Sequence, residues 1–167
     1  MRPAAAELAL ALDEAVDLHA LLLELTVAQR SLIADRRADA VEQAAREIET
    51  VVLRLASAEE RRRGAAAGLA DALGLAAAHW SALRGGLAPD ERSLLDPRVA
   101  RLEALVRELE LANAVNGQLI RRELALVDFT VRGMLGAAQP AATRRYTSAG
   151  QVAAAPAAGA LLLNAVA

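Results

Sequence analysis

The side chains that most often carry chemistry are scarce in this sequence. It contains no cysteine and only two histidines, His19 and His79. The lack of cysteine excludes disulfides, thiolate catalysis and zinc–thiolate sites. His19 lies five residues from Glu24, neither histidine has a second ligand at metal-binding spacing, and no Glu-x-x-His pair of the di-iron type occurs. We therefore predict no enzyme activity, metal or cofactor, and expect His19 at a helix surface or edge and His79-Trp80 at a helix end.

The charged residues do not form a recognisable site either. Gly85-Gly86 lacks the Lys and Ser/Thr that follow the glycines of a phosphate-binding loop. The run from Glu59 to Arg63 offers Glu–Arg pairs at helical spacing. We interpret it as a solvated helix face, with a site for an acidic partner as the alternative. Since 19 basic residues balance 21 acidic ones, the sequence also argues against a general nucleic-acid binder.

The unusual polar residues lie inside the last predicted helix. Asn113 and Asn116 interrupt a leucine stripe, and Gly117 follows directly. Asn and Gly are poor helix formers, so their presence there needs a reason. Asn116 is in phase with Leu102 and Leu109, so we expect it to face the neighbouring helices and to fix their register. Gly117 would allow another backbone to approach closely. The alternative is an exposed polar notch without such a role.

These residues must be positioned by helices. Ala, Leu, Arg and Glu dominate the sequence, which has one Trp, one Tyr and one Phe, and this composition favours helices over strands. A first periodic segment runs from about Ala4 to Ile33, and a second from Val41 to Leu73. Between them we predict a tight turn with Asp39 as the N-cap, and the alternative is a solvated stretch of one continuous helix. After a connection at Gly85-Gly86 and Pro89, we expect a third helix from about Pro97 to Leu135, with Asp96 as its cap.

The composition changes near Gly136. The sequence predicts a helical-bundle domain at 1–136 and a flexible Ala/Pro/Gly-rich tail at 137–167, because the tail has few large side chains to offset the entropy of ordering. Its apolar end, which includes Leu161 and Leu162, is either a partner-binding element or a short docked helix. The predicted fold class is all-α, an elongated antiparallel bundle of long amphipathic helices. The two longest weakly charged stretches, 64–81 and 151–167, do not have the length and hydrophobicity of a membrane span. We therefore expect a soluble cytoplasmic protein without stable membrane insertion.

Two stretches of the sequence resemble a known family. In 109–120, Leu-Glu-Leu-Ala-Asn-Ala-Val-Asn-Gly-Gln-Leu-Ile, a leucine stripe meets Asn-x-x-Asn-Gly and then a Leu/Ile pair. In 146–150, Tyr-Thr-Ser-Ala-Gly follows the last predicted helix. Both are similar to FlgN-type flagellar export chaperones. Along the second helix the sequence has Ala and Arg, where members of that family usually carry Lys and Gln.

The resemblance implies a cytoplasmic chaperone of the flagellar type III secretion system. Such a chaperone binds the hook-associated proteins FlgK and FlgL at the hook–filament junction, prevents premature assembly and delivers them to the export gate. We expect the client groove and tail contacts to use the following residues: Leu109, Asn113, Asn116, Gly117, Leu119, Ile120, Tyr146, Leu161 and Leu162. The alternative is a self-associating structural helical bundle without a client, and the sequence leaves the oligomeric state open.

Overall fold

The computed structural model describes residues 1–137, which form four helices and no strand. The helices are α1 (Pro3–Ala34), α2 (Ala38–Leu73), α3 (Trp80–Gly86) and α4 (Pro89–Ala137). The predicted all-α class is therefore confirmed. Of the predicted tail, only Ala137 lies within the described residues. Within the described part of the chain, no helix combines the length and the apolar character that crossing a membrane requires.

The chain divides into two units after Arg122. The first unit contains α1, α2, α3 and the first 34 residues of α4, Pro89 to Arg122. The second unit begins at Glu123 and contains the remainder of α4.

Within the first unit, the long helices run up, down and up. Early α1 residues and late α2 residues share one core cluster, so α1 and α2 are antiparallel. The side-chain hydrogen bonds between α1 and α4 join residues that follow one another in the same order along both helices. Arg98 of α4 pairs with Asp13 of α1 at 2.9 and 3.1 Å, and Asn116 bonds near the end of α1. Helix α4 is therefore parallel to α1 and antiparallel to α2.

Two apolar clusters hold these helices together. The first joins α1, α2, α3 and the start of α4 through the following buried residues: Ala5, Leu8, Ala9, Leu12, Ala66, Leu69, Ala70, Leu83, Leu87 and Leu95. The second contains Leu18, Leu22, Val51 and Ala58, with Leu109 of α4 packed against it. Four of the ten buried residues of the first cluster are alanines, and their small side chains let helix axes approach closely. The buried residues of both clusters are all aliphatic.

The turn between α1 and α2 is present, but the predicted cap is wrong. Arg37 is the N-cap of α2 and makes no side-chain capping bond, while Asp39 lies in the first turn of the helix. There its carboxylate still interacts favourably with the positive end of the helix dipole. The chain reverses at Arg36, whose φ of 55° lies in the left-handed region. This conformation removes the need for the Gly or Pro that usually marks such a turn.

The predicted start of the third long helix is also wrong. Helix α4 begins at Pro89, eight residues earlier, and continues through Pro97. Proline has no N–H, so the carbonyl of Ser93 lacks its usual helical donor, yet the helix does not end there. Asp96 is not a cap but accepts two bonds from Arg84 of α3, at 2.7 and 3.1 Å. An Asp-Pro pair is compatible with the start of a helix and also with a place inside a helix that has already begun. The contact between Asp96 and Arg84 is made in the second position.

Glu91 fastens the start of α4 to the beginning of the chain. Its side chain is 1% exposed. One carboxylate oxygen accepts the backbone N–H of Arg2 at 2.8 Å. The other accepts the Arg2 guanidinium at 2.5 Å and the backbone N–H of Ala88 at 3.0 Å. The bond to Ala88 has the geometry of a capping box. The N–H of Arg2, then that of Ala88 and the Arg2 charge, lower the pKa of Glu91 despite the opposing effect of burial.

We expect Glu91→Gln to lower the free energy of unfolding at pH 7 by about 1–3 kcal/mol, because an amide has one acceptor oxygen where the carboxylate uses two and has no charge to pair with Arg2. A lowered pKa means that this stabilisation is present above the ordinary value of 4.5 and is lost as the pH falls through the lower folded-state value. Denaturant titrations followed by circular dichroism would therefore show the two chains converging at acidic pH. Glu108→Gln, an exposed change on the same helix, is the matched control. A difference in the free energy of unfolding that stays the same at every pH would contradict this account.

Candidate partner-binding surfaces

Asn116 is a buried polar link between α4 and α1. Its side chain is 4% exposed. Its amide nitrogen donates to the carbonyl oxygen of Thr26 at 2.7 Å and lies 3.4 Å from the side-chain oxygen of Gln29. Its amide oxygen accepts from Arg30 at 3.3 Å. Asn116 therefore faces a neighbouring helix, as its phase predicts, and its hydrogen-bonding groups are used within the chain.

The facing part of α1 contains two further buried polar side chains. The hydroxyl of Thr26 donates to the carbonyl of Leu22 at 2.7 Å. His19 is 8% exposed, and its Nδ1 lies 2.7 Å from the carbonyl oxygen of Ala15. The prediction that His19 lies at a helix surface or edge is thus wrong. A ring nitrogen bonded to the preceding turn of its own helix needs no solvent, so burial is tolerated. No group of three or more His, Asp or Glu residues within 1–137 is arranged to hold a metal ion.

The other predicted partner-binding residues differ in exposure. Asn113 and Ile120 lie on the surface of α4. Leu109 and Leu119 are half-buried, and Leu109 packs against the second apolar cluster. Gly117 is half-buried too. Hence only part of this set is open to a partner in the first unit.

The predicted contacts at Tyr146, Leu161 and Leu162 lie outside the described residues.

The second unit presents large apolar side chains on the surface of α4. Leu124, Val127, Val131 and Met134 follow one another at intervals of three, four and three residues, so they share one face of α4. Each is between 47% and 68% exposed. We call these four residues the exposed α4 stripe. Leu126 and Phe129, which lie off this stripe, are exposed as well, at 43% and 75%.

A groove opens in the first unit. Its volume is about 450 Å³, and residues of all four helices line it. Its lining includes Leu8 and Leu12 of α1, Trp80 of α3, and Leu102 and Val106 of α4. We call it the first-unit groove. Trp80 begins α3, so the expectation that His79-Trp80 lies at a helix end is confirmed. The groove itself has no local sequence signal, because separate helices assemble it.

The comparison with protein families gives one match. The family model described as FlgN protein matches residues 1–154 of the chain. No curated protein and no solved structure matches.

Two asparagines three residues apart on α4 test the buried link. Asn116→Ala should lower the free energy of unfolding by about 1–3 kcal/mol, because it leaves the buried Thr26 carbonyl without this donor. Asn113→Ala, the same change at an exposed position, should alter it by less than about 0.5 kcal/mol. Chemical denaturation monitored by circular dichroism measures both. Similar values for the two variants would show that the bonds of Asn116 contribute nothing measurable.

Proposed function

The chain belongs to the FlgN family, a family of flagellar export chaperones, and from this premise we propose that it binds the hook-associated proteins FlgK and FlgL. By covering their assembly segments in the cytoplasm, it prevents premature assembly and delivers them to the export gate. Its work is binding rather than catalysis.

The exposed α4 stripe is the observation that best supports this proposal. Large apolar side chains that stay uncovered on one helix face are typical of interaction sites. An amphipathic helix of a client can lay its own apolar face against such a stripe. Covering each of the four half-exposed side chains contributes about 1 kcal/mol. The stripe thus offers enough apolar surface for a reversible contact, which a chaperone that must release its client requires.

Two other surfaces belong to the proposal. In the first unit, Asn113 and Ile120 are exposed and Gly117 is half-buried. Part of the client groove that the sequence predicts is therefore accessible there. We propose that these three residues form a client contact. For Tyr146, Leu161 and Leu162, a contact with the client or the export gate rests on the resemblance alone.

Self-association is the second candidate. The three–four–three spacing of the exposed α4 stripe is that of a coiled-coil seam, which a second copy of the chain would also cover. A structural bundle of this kind needs no client. Light scattering after size exclusion distinguishes the two, since a stable homo-oligomer that ignores the C-terminal segments of FlgK and FlgL favours the structural role.

The double variant Leu124→Ser/Val131→Ser should weaken binding of these segments at least about tenfold, because it removes two apolar contacts from the stripe. Isothermal titration calorimetry measures the affinity. Leu111→Ser is the matched control, since Leu111 is 68% exposed on the same helix but is not part of the stripe. If the control loses as much affinity as the double variant, or if neither loses any, the stripe is not the client surface.

Gly117→Leu tests the contact proposed in the first unit. A Cβ at this position would meet only the end of the Arg121 side chain, at an ordinary contact distance of 3.5 Å. We therefore expect the circular dichroism spectrum to persist while client binding weakens. Gly68→Leu makes the same change in α2, where a Cβ would meet nothing within 4 Å. Unchanged affinity for Gly117→Leu in calorimetry, with an unchanged spectrum, would remove this contact from the proposal.

A further inference from the structure

The first-unit groove combines an apolar lining with a charged edge. Leu8 and Leu12 in its lining are 3% and 2% exposed. The lining on α4 extends from Val99 to Glu110. At 1.5 Å per residue this is about 16 Å, or three helical turns. The groove is therefore long enough for several turns of a helix laid along α4.

The edge of the groove on α4 carries three charges of alternating sign. Glu103, Arg107 and Glu110 are exposed and are spaced four and three residues apart. Within the described part of the chain, no hydrogen bond or ion pair engages any of them. Arg62 of α2, which also lines the groove, is already held by Glu59, with nitrogen–oxygen distances of 3.0 and 2.8 Å. The charges available to a partner are thus acidic, basic and acidic along α4.

We propose that the first-unit groove docks an amphipathic α-helix of another protein that carries a basic–acidic–basic series along one edge, spaced three and four residues apart. The apolar face of this helix packs on Trp80, Leu102 and Val106, which line the groove and are partly exposed, and its charged edge pairs with α4. Facing helices present residues at these same intervals of three and four. The three charges of the docked helix therefore pair with Glu103, Arg107 and Glu110 at the same time. This function goes beyond client binding on the exposed α4 stripe, with which the groove shares no residue, and does not depend on it.

A second copy of the chain does not supply the required helix. The only arginines of the described helices that lie seven residues apart on one helix are Arg54 and Arg61, and the positions three and four residues after Arg54 are Ser57 and Ala58. A small apolar ligand would contact the apolar lining but leave the alternating charges unused. The charge pattern therefore favours a helix from a different protein.

Trp80 is the only tryptophan of the chain and lies in the groove, so its fluorescence reports occupancy directly. The full chain is titrated with two designed helical peptides of about 18 residues, five turns each, with identical leucine faces. One carries Lys–Glu–Lys along the edge and the other Glu–Lys–Glu. We expect the first to shift Trp80 emission to the blue and to bind about tenfold more tightly than the second, because three attractive pairs become repulsive.

The charge-swapped chain Glu103→Arg/Arg107→Glu/Glu110→Arg is the matched variant. All three positions are exposed, so the fold should persist by circular dichroism, and the preference between the peptides should reverse. Equal affinity of the natural chain for both peptides overturns the proposal, as does an unshifted Trp80 emission with either. A blue shift that grows with chain concentration in the absence of peptide assigns the groove to a second copy and overturns it too. If the swapped chain does not fold, the peptide comparison on the natural chain still decides.

Discussion

The parallel register of α4 against α1 is the constraint on which the first unit depends, and two buried polar side chains define it. Glu91 bonds to Arg2 across 89 positions of the sequence, and Asn116 bonds to Thr26 across 90. Between these two links, Arg98 bonds to Asp13 across 85 positions, so the three links hold α4 parallel to α1 over about 24 residues. A slip by one turn would leave both polar groups buried without partners, which is far costlier than losing an apolar contact.

The apolar core could not supply this specificity alone. Leucine and alanine side chains pack in many alternative registers with similar free energies, whereas a hydrogen bond tolerates an error of only a few tenths of an ångström. Surface ion pairs such as Arg61–Glu14 join α1 and α2, but exposed pairs contribute little free energy. The core therefore holds the helices together, and Glu91 and Asn116 determine how they align. The resulting alignment brings Leu8, Leu12 and the lining residues of α4 together as a groove.

Much of this arrangement is predictable from the sequence, and the exceptions share a cause. The three- and four-residue periodicity identifies the long helices, and the phase of Asn116 identifies its burial. The positions of Asp39, Asp96 and His19 were predicted wrongly, because each side chain has two locally acceptable roles and contacts elsewhere in the fold select one. The first-unit groove was not predictable at all, since its lining comes from four helices that only the folded chain brings together.

The exposed α4 stripe shows the limit of periodicity most clearly. An apolar repeat specifies which face of a helix will be covered, but not by which chain. Of the 49 residues of α4, the first 34 belong to the first unit and the remaining 15 to the second. An apolar repeat that is not covered within its own chain must either remain exposed at a cost in solubility or be covered by another molecule. The exposed repeat on α4 is therefore the physical feature on which the proposed client contact depends.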